Sequence, residues 1–114
     1  MNKKEYSTLI GASGSTYTFE IWAINTTTFN HVPCVYTYTK LINGYWECIY
    51  VGQTEHLATR LNQHSTGKEK SDKCIQKSGA THIHVLVLND ESARIDVETD
   101  IRNNLNYNWI CNMQ

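Results

Sequence analysis

Arg60 and His64 stand four residues apart in the run Leu57-x-x-Arg60-Leu61-x-x-His64, a spacing that puts both side chains on one face of a helix. A guanidinium offers a fork of donors to anionic oxygens, and an imidazole takes or gives a proton near neutral pH. Two phenols, Tyr36 and Tyr50, precede them on either side of Asn43-Gly44, the strongest hairpin signal in the chain. Anion binding beside proton transfer is the chemistry such a set could perform. Each residue also has a plainer reading: the tyrosines as an aromatic ladder, Arg60 as a surface cation, His64 as a bystander. A later carboxylate, Glu98, has Arg94 and Arg102 four residues to either side, and on its own reads as part of a helix-surface salt-bridge set.

The register of the hairpin decides whether the tyrosines can cooperate, because a slip of one residue moves a side chain to the other face. If the loop holds only Asn43 and Gly44, Ile42 opposes Tyr45, Tyr36 opposes Val51, and the two phenols fall on opposite faces. A three-residue loop, Ile42-Asn43-Gly44 with Gly44 left-handed, sets Tyr36 directly opposite Tyr50. Cooperation of the phenols therefore calls for the longer loop.

The remaining elements follow from periodicity. Residues 1–15 read as a frayed start, and Thr16–Ile24 alternates in the manner of a half-buried strand. Cys34–Leu41 and Tyr45–Val51 are the hairpin strands. Thr54 reads as the N-cap of a helix over about 55–65 that Gly67 stops. A Lys/Ser/Gly loop then leads to a strand over His82–Leu88 and to a helix capped by Asn89 or Asp90, with Val97, Ile101 and Leu105 inward. The predicted class is α+β: a small antiparallel sheet of about three core strands, with an additional N-terminal strand, flanked by helices. Residues 1–32 read as an extension and 33–114 as the functional domain.

With the elements in place, the motifs Cys34-Val35-Tyr36, Tyr50-Val51-Gly52-Gln53-Thr54, Leu57-x-x-Arg60-Leu61-x-x-His64, Ala93-Arg94 with Glu98, and Trp109-Ile110-Cys111-Asn112 resemble the GIY-YIG nuclease family. The resemblance spans about residues 33–112, and its middle part is the specific one. It implies a metal-dependent endonuclease that hydrolyses nucleic-acid phosphodiesters, DNA ahead of RNA, with one Mg²⁺ or Mn²⁺ per active site. By the motif, Tyr36 and Tyr50 match the signature tyrosines and Arg60 the helix arginine. His64 matches the residue one turn later, Glu98 the metal ligand, and Asn112 the late asparagine, for which Asn106 and Asn108 compete. Tyr36 would be the general base, Tyr50 would orient water or phosphate, and His64 would hold or deprotonate a tyrosine. The family's first glycine is replaced by Cys34, which adds a side chain where backbone might approach substrate.

Composition bounds what else the chain could be. Its 114 residues are 40% apolar, 18% charged and 11% aromatic, a globular mixture of one-domain size. Runs such as Ile83–Leu88 are too short to span a bilayer, and Met1-Asn2-Lys3-Lys4 leads into polar sequence, so a soluble cytoplasmic protein is expected. Cys34, Cys48, Cys74 and Cys111 are scattered without a CxxC pair, which favours free thiols over bridges or zinc. His82-x-His84 reads as the polar face of a strand in preference to a metal site. The net charge is −1, yet Arg60, Lys68, Lys70, Lys73 and Lys77 concentrate positive charge in one segment that could track phosphates. Weak affinity of a lone monomer would make a homodimer or a partner subunit useful, with Thr16–Ile24 as the pairing strand. The rival reading is a nucleic-acid-binding module of the same fold without turnover.

Overall fold

Asn43 and Gly44 both adopt left-handed backbone, with φ of 51° and 84°, and close a two-residue hairpin in which Ile42 pairs with Tyr45. This is the twist-matched turn that an Asn-Gly pair favours. The loop is thus the shorter of the two expected, and Tyr36 lies opposite Gly52, not Tyr50. A β-bulge changes the outcome. Thr39 pairs with Cys48 whereas Tyr38 pairs with Tyr50, which leaves Ile49 without a partner of its own. One extra residue in one strand reverses the facing of everything beyond it. Tyr36, Tyr38 and Tyr50 consequently share a face, by a bulge instead of a longer loop.

The computed structural model describes residues 4–26 and 28–112; the first residues of the expected extension and the last two of the expected domain lie outside them. Five strands form one antiparallel sheet: β1 (Glu5–Ile10), β2 (Thr16–Ala23), β3 (Cys34–Ile42), β4 (Tyr45–Thr54) and β5 (His82–Val87). Their spatial order is β1-β2-β5-β3-β4. The frayed start expected over residues 1–15 instead contains β1, which pairs with β2 from Glu5↔Ile21 to Ile10↔Thr16. β2 lies between β1 and β5, pairing with β1 over Thr16–Ile21 and with β5 over Glu20–Ala23.

The two edge strands are both capped by the C-terminal segment. Asn104 Nδ2 donates to the Ile10 carbonyl (2.8 Å) and Tyr107 Oη accepts from the Ile10 amide (2.6 Å) on β1. On β4, Asn112 both accepts from the Val51 amide and donates to its carbonyl (2.8 Å each), and the Cys111 amide donates to the Ile49 carbonyl. Edge backbone groups that would otherwise be open to another chain are used internally.

Three helices complete the fold: α1 (Leu57–Thr66), α2 (Lys70–Lys77) and α3 (Glu91–Arg102). Thr54 belongs to β4 and is not the cap of α1; its hydroxyl accepts from the His56 amide, and His56 occupies the cap position. The first helical amides are satisfied instead by carbonyls of the β2–β3 loop, Leu57 by Val32 and Ala58 by Asn30. α2 replaces the loop expected after Gly67. It buries Asp72 and Ile75 and brings Cys74 against Cys111, and the two form a disulfide. That corrects the expectation of four free thiols: even spacing along the chain says nothing about which helix packs on which tail. Cys34 and Cys48 are free.

In α3, Asp90 caps by accepting from the Ala93 amide and Ile101 is fully buried, but Leu105 lies beyond the helix end and is 89% exposed. Arg94 is buried and turned toward Gln53 Oε1 (3.0 Å) and the carbonyls of Leu88 and Asn89, so only Arg102 pairs with Glu98. α1 and α2 cover the face carrying Tyr36, Tyr38 and Ile83. Ile101 of α3 and Trp109 close the other face, over Phe19, Val35 and Val51. Each such side chain contributes roughly 1.5–3 kcal/mol by leaving water.

Candidate active site

The bulge-restored face of the hairpin meets α1 at His64. His64 is fully buried, its Nε2 is 2.7 Å from the Tyr36 hydroxyl, and its ring lies edge-on to Tyr38 and Tyr50 at centroid distances of 5.6 and 5.0 Å. Tyr36 and Tyr50 have ring centroids 6.2 Å apart. Gly52 is required between them, because a Cβ there would come within 2.7 Å of the Tyr36 hydroxyl and 2.9 Å of the Tyr50 ring. Arg60, one turn before His64, is near enough to Tyr36 and Tyr50 to act on both electrostatically, while its Nη1 donates to Gln63 Oε1 (3.1 Å). Four residues expected to cooperate from sequence are thus in one cluster.

Electrostatics separate their roles. Burial drives the Tyr36 pKa far above the ordinary phenol value, and the neighbouring Tyr50 adds to the rise while Arg60 opposes it. Burial also lowers the pKa of His64; Asp72 counters this and Arg60 reinforces it, so the imidazole is neutral at neutral pH. A neutral imidazole beside a neutral phenol is set up to receive the phenol's proton, not to hold a permanent phenolate.

Next to this cluster lies a hollow of about 480 Å³ whose walls include Tyr50, Glu69, Lys70, Ser71, Arg102 and Asn112. Tyr50 is the link between cluster and hollow. Asn112, clamped on Val51, fixes the strand one residue after Tyr50. Glu98 does not itself line the hollow; its Oε1 is 3.3 Å from Nη1 of Arg102, which does. Its side chain is 13% exposed, and burial raises its pKa against the pull of Arg102 and Thr99. Lys70 lines the hollow, whereas Lys68, Lys73 and Lys77 are exposed and do not line it. Cys34 points into the core with its thiol pushed up to about 12 by burial, so it is not a substrate-facing group. A larger groove of about 680 Å³ between α1, α2 and the β2–β3 loop is mostly apolar and is not part of the cluster.

The residues present fit a hard divalent cation at Glu98. A desolvated carboxylate with only long contacts gains from a nearby positive charge, and a single carboxylate leaves most of a Mg²⁺ shell to water and phosphate. Among the described residues no group of three or more His, Cys, Asp or Glu side chains could form an all-protein cage.

Sequence reasoning missed Asp72 and the hollow-lining position of Arg102. Asp72 is 5% exposed, and its Oδ1 lies 2.8 Å from His64 Nδ1. It lay in a segment read as loop, where no periodicity singled it out.

A family model described as the GIY-YIG catalytic domain matches residues 33–108. The chain belongs to the GIY-YIG family, and its curled antiparallel sheet with three helices is the nuclease-type fold of that family. No curated protein and no solved structure gives a significant match. Asn112 lies beyond the matched residues, so its place in the site rests on its bonds to Val51. Among the described residues no helix is long and apolar enough to cross a membrane.

Proposed function

We propose that this chain is a divalent-metal-dependent endonuclease that hydrolyses nucleic-acid phosphodiester bonds, DNA ahead of RNA, in the cytoplasm. The observation that carries the reading is the convergence of Tyr36, Tyr50, Arg60 and His64, with Tyr36 bonded to His64, beside a hollow lined by Lys70 and Arg102. Cationic donors at the mouth hold a scissile phosphate, and Tyr50 orients it or the attacking water. As water attacks phosphorus, its proton passes to the Tyr36 oxygen while the Tyr36 proton moves to His64 Nε2, which avoids a free buried phenolate. The P–O bond then breaks and the leaving alkoxide takes a proton from solvent. Glu98 would hold the cation, whose contribution when bound would be Lewis-acid polarisation of the phosphate.

Tyr36 is fully buried, so this proton path requires its hydroxyl to be uncovered when substrate binds. The functional domain is read as residues 33–114. Residues 1–32 are read as an extension whose hairpin turn bonds Asp100 through Ser13 and Tyr17 and so steadies α3, the helix of Glu98. Lys68, Lys73 and Lys77 would track the flanking backbone, and a homodimer or partner subunit would add contacts. The Cys74–Cys111 bridge is at odds with a reducing cytoplasm.

Arg60→Ala and Glu98→Ala proteins, shown folded by circular dichroism, should each lose metal-dependent plasmid cleavage by about 10²-fold or more. Full turnover in either variant would defeat the assignment. Binding of DNA by the unaltered chain without any metal-dependent cleavage would favour the inactive module instead.

A further inference from the structure

Asp72 is a buried carboxylate that the proton path above does not use. Its Oδ1 meets His64 Nδ1 at 2.8 Å, and its other oxygen sits against Gly67, where any side chain would collide with it. Gln76 Nε2 donates to the carbonyls of His64 and Gly67 (2.8 and 2.9 Å), tying α2 to the end of α1. These contacts hold Asp72 behind the ring, not beside it.

We propose that Asp72 is a positioning residue that keeps His64 protonated on Nδ1, so that the lone pair on Nε2 faces the Tyr36 hydroxyl. An ionised carboxylate only accepts hydrogen bonds, so the nitrogen it faces must carry the proton. In a neutral imidazole the other nitrogen is then an acceptor, and the Tyr36 O–H must donate to it. The chain Asp72–His64–Tyr36 therefore has one direction, with proton movement from Tyr36 toward His64 and the developing imidazolium stabilised by Asp72. The charged and titratable groups around His64 are Tyr36 and Tyr38 from β3, Tyr50 from β4, Arg60 from its own helix and Asp72 from α2. Of these, Asp72 is the group within hydrogen-bond distance of Nδ1, while Tyr36 meets Nε2.

The role rests on the nuclease reading for its catalytic meaning, but the tautomer is measurable without substrate. In ¹⁵N-labelled protein at neutral pH, the His64 imidazole should show a protonated Nδ1 and an unprotonated Nε2. Asp72→Asn should redistribute the proton between the two nitrogens. In single-turnover plasmid cleavage with Mg²⁺, Asp72→Asn should lower the rate by about 10²-fold and leave KM unchanged, since the phosphate-facing groups are untouched. A wild-type His64 protonated on Nε2 would overturn the proposal, and that result does not depend on any variant folding. An Asp72→Asn protein with wild-type turnover would also overturn it. Absence of cleavage by the wild-type protein would instead defeat the nuclease reading and leave the tautomer assignment to stand or fall by its spectrum.

Discussion

His64 and His84 are buried alike, at 0% and 1% exposure, one on each face of the same sheet. Their partners differ. His84 sits between two hydroxyls, Ser7 Oγ on Nδ1 (2.7 Å) and Thr39 Oγ1 on Nε2 (2.9 Å), with Trp46 edge-on to its ring at 4.7 Å. A hydroxyl donates or accepts by rotating, so either tautomer of His84 is satisfied and nothing directs a proton through it. His64 has a carboxylate on one nitrogen and a phenol on the other, with a guanidinium alongside. Burial alone makes a histidine neutral; a fixed acceptor behind it is what makes it directional.

Two matched changes sharpen or break that contrast. Tyr36→Phe removes one oxygen from the His64 chain and should lower kcat for plasmid cleavage by about 10²- to 10⁴-fold. The matched change on the other face, Thr39→Val, should leave turnover intact and cost about 1–3 kcal/mol in urea unfolding. Equal losses of turnover in both would erase the distinction.

Acid should expose the second histidine. Burial, with His82 adding to it, pushes the His84 pKa down to about 4, against roughly 6.5 in an unfolded chain. The unfolded state takes up the proton first, so stability is full above pH ~6.5 and falls as the pH drops toward 4, by on the order of 3 kcal/mol. His64, also lowered, adds loss of the same sign in the window that opens at the same upper limit. His84→Gln should flatten most of the slope of stability against pH; an unchanged slope would show that His84 is not the acid-sensitive group. The smallest effect is expected from Asn112→Ala, about 1–2 kcal/mol for the two lost bonds to Val51, together with faster hydrogen exchange at the Val51 amide. Unaltered exchange there would mean the β4 edge is held by other contacts.

Much of the site was legible because helical spacing is local: Arg60 and His64 share a face of α1 as their separation requires. The facing of the tyrosines was legible in result but not in route, since Asn43-Gly44 specifies the turn while nothing near Ile49 in the sequence marks a bulge. β1 was hidden by its Ser- and Thr-rich composition and becomes a strand through pairing with β2. Asp72 and the Cys74–Cys111 contact depend on α2 docking against α1 and the C-terminal segment, a tertiary event with no short-range signature. Leu105 failed as a core residue because α3 stops at Arg102, which ends the periodic stripe one turn early.

The most direct test is incubation of the purified chain with supercoiled plasmid in Mg²⁺ or Mn²⁺ and in chelator, with branched DNA and RNA in parallel. Nicked or linear product that appears with the metal, vanishes with the chelator and is lost in Tyr36→Phe is the expected result. Plasmid left intact with either ion, by protein that is folded and binds it, would contradict a hydrolytic role for the tyrosine–histidine cluster.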